Sequence, residues 1–134
     1  KTYTTYYTES DVVTLAKVLY REAGGIPSKT EQACVAWVAC NRVDAGWGSS
    51  VTAVLTAPNQ FAYYSGTPVY DNMYSLAKDV LTRWSKEKSG WKDVGRVLPK
   101  SYLYFHGDGR HNYFRQGYNS SGYWDYSLPS PYAN

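Results

Sequence analysis

Residues 15–25 read LAKVLYREAGG, and the fold of the chain is decided in this stretch. Apolar residues recur around it at helical spacing, which predicts an amphipathic helix with one face in the core. They are Val12, Leu15, Ala16, Leu19 and Ala23. The pair Gly24-Gly25 then predicts a helix end, because glycine tolerates the left-handed backbone found at many helix C-termini.

Glu22 falls on or beside this apolar stripe, since it lies three residues after Leu19 and seven after Leu15 at about 100° per residue. It also lies in the last helical turn, where the helix dipole disfavours an anion. Both effects predict a raised pKa, which a general acid needs near neutral pH. Position alone leaves open a second interpretation, a surface glutamate whose carboxylate reaches solvent at a frayed helix end.

The composition indicates one domain, residues 1–134, with a surface rich in polar aromatic rings. Aromatic residues make up 17% of the chain, with fifteen Tyr and five Trp against three Phe. Such rings suit stacking on sugars or other flat polar ligands, although many must simply occupy strands and loops.

Charge and hydropathy argue against two classes of partner. The net charge of +3 is scattered, which disfavours nucleic-acid binding and fits, weakly, an anionic polymer such as a cell wall. The longest apolar run, residues 33–40, is too short to span a membrane. The chain starts at Lys1 without a recognisable signal peptide, so we interpret it as a mature or trimmed chain.

The two cysteines, Cys34 and Cys40, lie in that apolar run. On a helix they are six residues and about 9 Å of rise apart, on different sides, which forbids a mutual disulfide. We expect two buried core thiols rather than a redox pair, a metal site or a nucleophile.

Capping residues and hydrophobic periodicity predict an α+β fold, with a mainly helical core and a small β-ribbon. Thr8 or Ser10 caps the first helix, and a Ser28-x-x-Glu31 capping box starts a second helix, apolar nearly all round, that ends before Gly46. The other predicted elements are helices over 51–56 and 72–85 and strands over 101–106 and 111–115.

The residues alone leave several chemistries open. His106 and His111 flank a turn with Asp108 and could hold zinc, but no His-Glu-x-x-His pattern supports such a site. No Gly-x-Ser-x-Gly nucleophile elbow is present. A glycosidase with two carboxylates would need a partner for Glu22. The sequence offers four candidates without selecting among them: Asp44, Asp71, Asp108 and Asp125.

Five segments between residues 15 and 115 carry a resemblance to a known family. They are Tyr20-Arg21-Glu22-Ala23-x-Gly25, Ala33-x-Val35-Ala36-x-Val38-x-x-Asn41-Arg42-Val43, Ser50-Val51-x-x-Val54-Leu55, Gln60-Phe61 and Leu103-Tyr104-Phe105-His106. In this order they resemble the SleB/CwlJ cell-wall hydrolases, which include the spore-cortex-lytic enzymes. The most specific part is the Glu-Ala…Asn-Arg pairing followed by Gln-Phe.

The resemblance implies a lysozyme-like catalytic domain related to lytic transglycosylases, with Glu22 as the catalytic acid and with no cofactor or metal. It also implies a glycan groove lined by Gln60, Phe61 and Tyr104. We add His106, on the same predicted strand, as a candidate substrate-binding residue.

The chain departs from the family at two positions, Gly24 and Ile26, where the family commonly has the arginine and second glutamate of Glu-Ala-Arg-Gly-Glu. Glu22 is then the only acid of the motif. With one carboxylate the family-like outcome is a lytic transglycosylase, which cleaves peptidoglycan between N-acetylmuramic acid and N-acetylglucosamine and leaves a 1,6-anhydro product.

Three alternatives remain: a hydrolytic muramidase, a zinc-type N-acetylmuramoyl-L-alanine amidase, and a non-catalytic glycan-binding module. The main hypothesis places a monomer outside the cell, acting on glycan strands of the vegetative wall or the spore cortex.

Overall fold

The computed structural model describes residues 1–132 and contains, within that range, four α-helices and a two-stranded antiparallel sheet. The elements are α1 (Glu9–Ala23), α2 (Lys29–Asp44), α3 (Val51–Thr56), α4 (Asp71–Lys88), β1 (Tyr104–Gly107) and β2 (Asn112–Arg115). The fold is mainly helical with a small β-ribbon, so the predicted α+β class is confirmed at this level.

Helix α1 begins at a complete capping box. The Thr8 hydroxyl accepts from the Asp11 N–H, and the Asp11 carboxylate accepts from the Thr8 N–H, so Thr8 rather than Ser10 is the cap. The predicted apolar stripe is buried throughout and packs against α2, α3 and α4. The second oxygen of Asp11 accepts from the Thr52 N–H at 2.9 Å, which fixes α3 to the start of α1.

Helix α1 ends at Ala23 as predicted, but the left-handed conformation expected of the glycine pair is wrong. Gly24 has φ −61° and ψ −28°, in the right-handed region, and Gly25 does not have a positive φ either. Glycine is needed at position 24 because a Cβ there would collide with the carbonyl oxygen of Tyr20. The helix end next to Glu22 is therefore bare backbone.

Helix α2 is the central helix, as its all-round apolar pattern predicts. Every residue from Ala33 to Arg42 is buried, and the helix packs against α1, α3 and α4. Cys34 and Cys40 are free and buried within it, as predicted. Its N-terminus is capped by the Ser28 hydroxyl, which accepts from the Glu31 N–H at 3.2 Å.

Helix α3 has the predicted bounds, with Ser50 as its cap, whereas α4 continues three residues beyond the predicted end. The added residues 86–88 are Lys-Glu-Lys, strong helix formers whose two cations suit a helix C-terminus. Gly90, at φ 96°, then reverses the chain. The hydroxyls of Ser85 and Ser89 accept from the N–H groups of Tyr6 and Thr4, which holds the N-terminal segment against α4.

The β-ribbon pairs Phe105 with Phe114 and His106 with Tyr113. Strand β1 begins at Tyr104, three residues later than predicted, because the preceding carbonyls bind the polar end of α2 instead of a partner strand. Asn41 donates to the carbonyls of Pro99 and Tyr102, and Arg42 donates to that of Leu103. Asn41 and Arg42 therefore tie the end of α2 to the loop that precedes β1.

The segment after β2 wraps the core as irregular chain, with Trp124 donating its backbone N–H to Phe114 and its indole N–H to Val97. Tyr132 is buried against the same core. Within residues 1–132, no helix combines the length and apolar character that crossing a membrane requires.

Candidate active site

Glu22 lies half-buried at the C-terminal end of α1, against the loop that follows α3. Its Oε2 accepts the backbone N–H of Ala62 at 2.9 Å. Burial raises the pKa of Glu22, while the Ala62 N–H and the positive charge of Arg42 oppose this rise without cancelling it. The predicted direction of the pKa shift is confirmed, and loss of solvent around the carboxylate is its main cause.

Two hollows share the C-terminal end of α1, and Glu22 lines the smaller of them. The larger one, about 540 Å³, is lined by Tyr20, Arg21, Gly24, Gly25 and Ala62. The smaller one, about 160 Å³, is lined by residues 21–26, which include Glu22 itself. Its other lining residues are 107, 109, 111 and 112 of the hairpin, which is the β-ribbon formed by β1, β2 and the turn between them. The bare helix end is common to both, so a ligand running past the end of α1 would pass the carboxylate.

Arg42 organises the other side of the site. Its Nε donates to the Leu103 carbonyl at 2.8 Å, and its NH1 donates to Gln60 Oε1 at 3.3 Å. The guanidinium also lies over the rings of Trp47 and Phe61, at 4.6 and 4.8 Å from their centroids, and 5.8 Å from that of Tyr104. Burial lowers the pKa of Arg42, but a guanidinium remains protonated.

Three of the four predicted substrate-binding residues, Gln60, Phe61 and Tyr104, converge on Arg42. The Gln60 side chain is exposed, while Phe61 is partly buried with its ring 5.8 Å from that of Phe105. Tyr104 stands between two exposed rings, Trp47 at 5.5 Å and Tyr118 at 6.1 Å.

The fourth predicted residue, His106, is exposed and lies elsewhere on the hairpin. Its ring is 5.3 Å from that of Tyr113 and 5.7 Å from that of Tyr123. Its described contacts thus join it to the aromatic surface of the hairpin and not to Glu22. A substrate-binding role for His106 stays a prediction without support from the neighbours of Glu22.

The four aspartates considered as a second carboxylate have different surroundings. Asp44 binds the Trp84 indole N–H and the Lys88 ammonium, Asp125 accepts from the Ser127 N–H, and Asp71 begins α4. Among the described residues, none of the four lines either hollow.

Of the four, Asp108 is the one that lies in the turn between β1 and β2. It stands between two glycines that line the smaller hollow. It accepts the N–H groups of Arg110 and His111 and the hydroxyl of Tyr113. These hydrogen bonds lower the pKa of Asp108 to about 2. It is therefore a firmly ionised carboxylate at the turn.

Sequence reasoning missed the contacts that fix the hairpin beside Glu22. Glu31, 4% exposed, accepts the Asn112 N–H through one oxygen and faces His111 Nδ1 at 3.3 Å through the other. Asn112 in turn donates its side-chain amide to the Glu22 carbonyl at 3.3 Å. The Ser28-x-x-Glu31 pattern predicted a local cap, and nothing near Glu31 in the sequence indicates that its carboxylate binds the hairpin.

No protein-family model matches the chain, and searches of curated proteins and of solved structures found no match. Within residues 1–132, no three His, Cys, Asp or Glu side chains lie close enough together to hold a metal ion.

Proposed function

We propose that this chain is a peptidoglycan-cleaving lytic transglycosylase in which Glu22 is the catalytic acid and base. The observation that carries the proposal is a half-buried carboxylate of raised pKa that lines one hollow at the helix end shared with a second, larger hollow. Of the described residues lining these hollows, Glu22 is the only carboxylate. The proposal includes a lysozyme-like fold and a monomer that acts outside the cell on glycan strands.

One carboxylate suffices for this reaction. Protonated Glu22 gives its proton to the glycosidic oxygen as the bond from that oxygen to the muramoyl anomeric carbon breaks. The N-acetyl group of the same sugar supports the positive charge on the anomeric carbon. The 6-hydroxyl then bonds to this carbon and returns a proton to Glu22, which gives the 1,6-anhydro product and restores the acid.

The groups around Glu22 suit both halves of this cycle. Burial favours the protonated carboxyl at rest, whereas the Ala62 N–H and the charge of Arg42 stabilise the carboxylate formed after proton transfer. The exposed rings of Tyr20 and Trp47 and the half-exposed ring of Tyr104 offer stacking surfaces for sugars.

The decisive experiment is digestion of purified peptidoglycan by the wild type and by Glu22→Gln, with mass spectrometry of the products. We expect anhydro-muramoyl products, lighter by one water than reducing-end products, from the wild type. Glu22→Gln should lose activity by about 10³-fold or more while retaining binding and fold. Glu9→Gln, the same change at the exposed other end of α1, serves as the matched control and should stay active.

The other outcomes of this experiment identify the alternatives. Full activity of Glu22→Gln contradicts the proposal, and activity abolished by a chelator would instead indicate a zinc amidase. Binding by the wild type without any cleavage would indicate a glycan-binding module.

A hydrolytic muramidase is the second candidate, because the ionised carboxylate of Asp108 sits in the turn beside the smaller hollow. Such a carboxylate could orient or activate water. Reducing-end products, together with loss of activity in Asp108→Asn, would favour this mechanism over the transglycosylase.

A further inference from the structure

The larger hollow carries a positive charge that the reaction described above does not use. Arg21 is the only charged residue among its described lining residues, and its side chain is exposed. Its NH1 lies 3.5 Å from the Thr67 hydroxyl, and its guanidinium lies over the Tyr64 ring at 5.5 Å. Among residues 1–132, no carboxylate lies within salt-bridge distance of Arg21.

These contacts orient the guanidinium without neutralising it. The Tyr64 ring supports one face of the Arg21 guanidinium. The Thr67 hydroxyl, at the limit of hydrogen-bond distance, occupies only one of its five N–H donors. The nearby Lys17 is engaged differently, since its ammonium donates to the Ser65 carbonyl at 2.7 Å. Arg21 therefore presents a planar, bidentate donor to whatever enters the larger hollow, and carboxylates match that geometry.

The hollow has the size and the walls of a ligand site. Its volume of about 540 Å³ falls in the range of small-molecule pockets. The ring of Tyr20 lines the hollow and lies next to the ring of Tyr70, with centroids 4.6 Å apart and planes tilted by 36°, and both rings are more than 40% exposed. The absence of side chains at Gly24 and Gly25 leaves its floor open, and a Cβ at Gly25 would meet nothing within 4 Å.

The position of the hollow relative to Glu22 restricts which part of the substrate can reach it. Arg21 precedes Glu22 on the same helix, and Ala62 lines the hollow while its N–H holds the Glu22 carboxylate. The muramoyl anomeric carbon must lie at Glu22 in the proposed reaction. The lactyl ether on C3 of the same ring, with or without a peptide stem, must then lie within about one sugar width of the acid.

We propose that Arg21 binds a carboxylate of the muramoyl residue in the larger hollow, and that the protein thereby prefers strands with free carboxylates over strands whose muramic acid is a neutral lactam. The inference rests on the proposed function and deepens it. The carboxylate belongs to the lactyl group of unsubstituted muramic acid or to the peptide stem, and the two sources share the same recognition chemistry.

The test compares Arg21→Gln with the wild type on four substrates: peptide-bearing strands, strands stripped of stems by an amidase, strands with carboxylates converted to methyl amides, and lactam-rich strands. We expect Arg21→Gln to raise KM on peptide-bearing strands about fivefold to tenfold with kcat within about twofold. Neutralising the carboxylates should raise the wild-type KM by a similar factor and leave the variant unchanged.

Controls separate binding from structure. Arg21→Lys, which keeps the charge but not the bidentate donor, should recover part of the affinity. Lys78→Gln, at an exposed position on α4, removes the same charge outside the hollow and should behave as wild type. If Arg21 merely braces the 64–67 loop, Arg21→Gln would impair all four substrates equally. That result, or an unchanged KM on peptide-bearing strands, overturns the inference.

The amidase-stripped strands identify the source of the carboxylate. A KM that stays low shows that the lactyl carboxylate freed by the amidase can replace a stem carboxylate at Arg21, and one that rises to the value for methyl-amidated strands shows that Arg21 binds the stem carboxylate only. Failure of the proposed function looks different, because the wild type would then release no anhydro product from any of the strands.

Discussion

At the scale of single residues, Glu22 is in an environment that favours its neutral form even though two of its neighbours favour the charged form. Burial is the largest influence on its pKa and exceeds the opposing contributions of the Ala62 N–H and Arg42. A carboxyl with a raised folded-state pKa binds its proton more tightly in the native protein than in the unfolded chain. Between the ordinary and the raised pKa, stability therefore falls as pH rises.

This pH dependence predicts the effect of Glu22→Gln on stability. Glu22→Gln keeps an oxygen for the Ala62 N–H and removes the charge that burial penalises, so the variant should be more stable than the wild type at pH 7. We expect a gain in Tm on the order of a few degrees at pH 7, measured by calorimetry. The gain should disappear at a pH below the ordinary glutamate range, where the wild-type carboxyl is already neutral. A variant less stable than the wild type at pH 7 would contradict this account.

The second prediction concerns Arg42, whose charge lowers the pKa of Glu22. Arg42→Met should raise that pKa further, so the alkaline limit of activity should move to higher pH. It should also destabilise the protein by about 2–4 kcal/mol, because the Leu103 carbonyl loses a charged donor and three rings lose a cation.

Arg42→Lys separates the two effects, because it keeps a positive charge but not the planar donor. We expect its alkaline limit to stay near that of the wild type while its free energy of unfolding falls. Urea denaturation and the pH dependence of kcat/KM measure the two quantities. An unshifted alkaline limit in Arg42→Met would show that the charge does not act on Glu22.

At the scale of elements, the buried carboxylate of Glu31 connects the start of α2 to the hairpin beside Glu22. Glu31→Ala would leave the buried Asn112 N–H without an acceptor, and we expect a loss of about 2–4 kcal/mol. Amide hydrogen exchange in residues 104–115 should accelerate, since the hairpin would open more often.

Glu31→Gln is the matched control, because it keeps an acceptor oxygen for Asn112 and removes only the charge. It should lose less stability and protect the hairpin amides better than Glu31→Ala does. Unchanged hydrogen exchange over residues 104–115 in Glu31→Ala would mean that other contacts hold the hairpin.

The sequence predicted those elements whose ends are encoded locally. Helix α3 has its predicted bounds because Ser50 caps it, and α1 begins directly after its cap Thr8 and ends at Ala23 for similarly local reasons. The start of β1 could not be found in this way, since it depends on carbonyls that bind Asn41 and Arg42 some sixty residues away in the chain. The left-handed stop expected at Gly24 was wrong because the constraint there is contact with Tyr20.

The parts of the candidate site that are single side chains could be predicted from the sequence. The helical period placed Glu22 against the core, and the resemblance pointed to Gln60, Phe61 and Tyr104, which do meet around Arg42. The donor to Glu22 is a backbone N–H, which no residue type encodes. The place of Arg42 at the centre of these side chains was not predictable, because the rings around it come from three separate segments.

At the scale of the whole molecule, the core is built around α2, which is buried on every side by the other helices and by the irregular C-terminal segment. Small residues along this helix allow its neighbours to approach closely. The two cysteines belong to that set and expose none of their surface. Burial raises the pKa of both thiols, which favours their neutral, less reactive form.

Thiol labelling therefore reports on the integrity of this core. We expect Cys34 and Cys40 to react with a thiol reagent at pH 8 at least about 10³-fold more slowly than a free thiol, because reaction requires the core to open. Ser75→Cys, at an exposed position on α4, should label rapidly in the same molecule and serves as the internal reference. With increasing urea, labelling of both native thiols should rise together with the loss of circular dichroism. A helix packed on all sides gives a reagent no path to its sulfur atoms. Rapid labelling of either thiol without denaturant would therefore contradict the burial of α2 at the centre of the core.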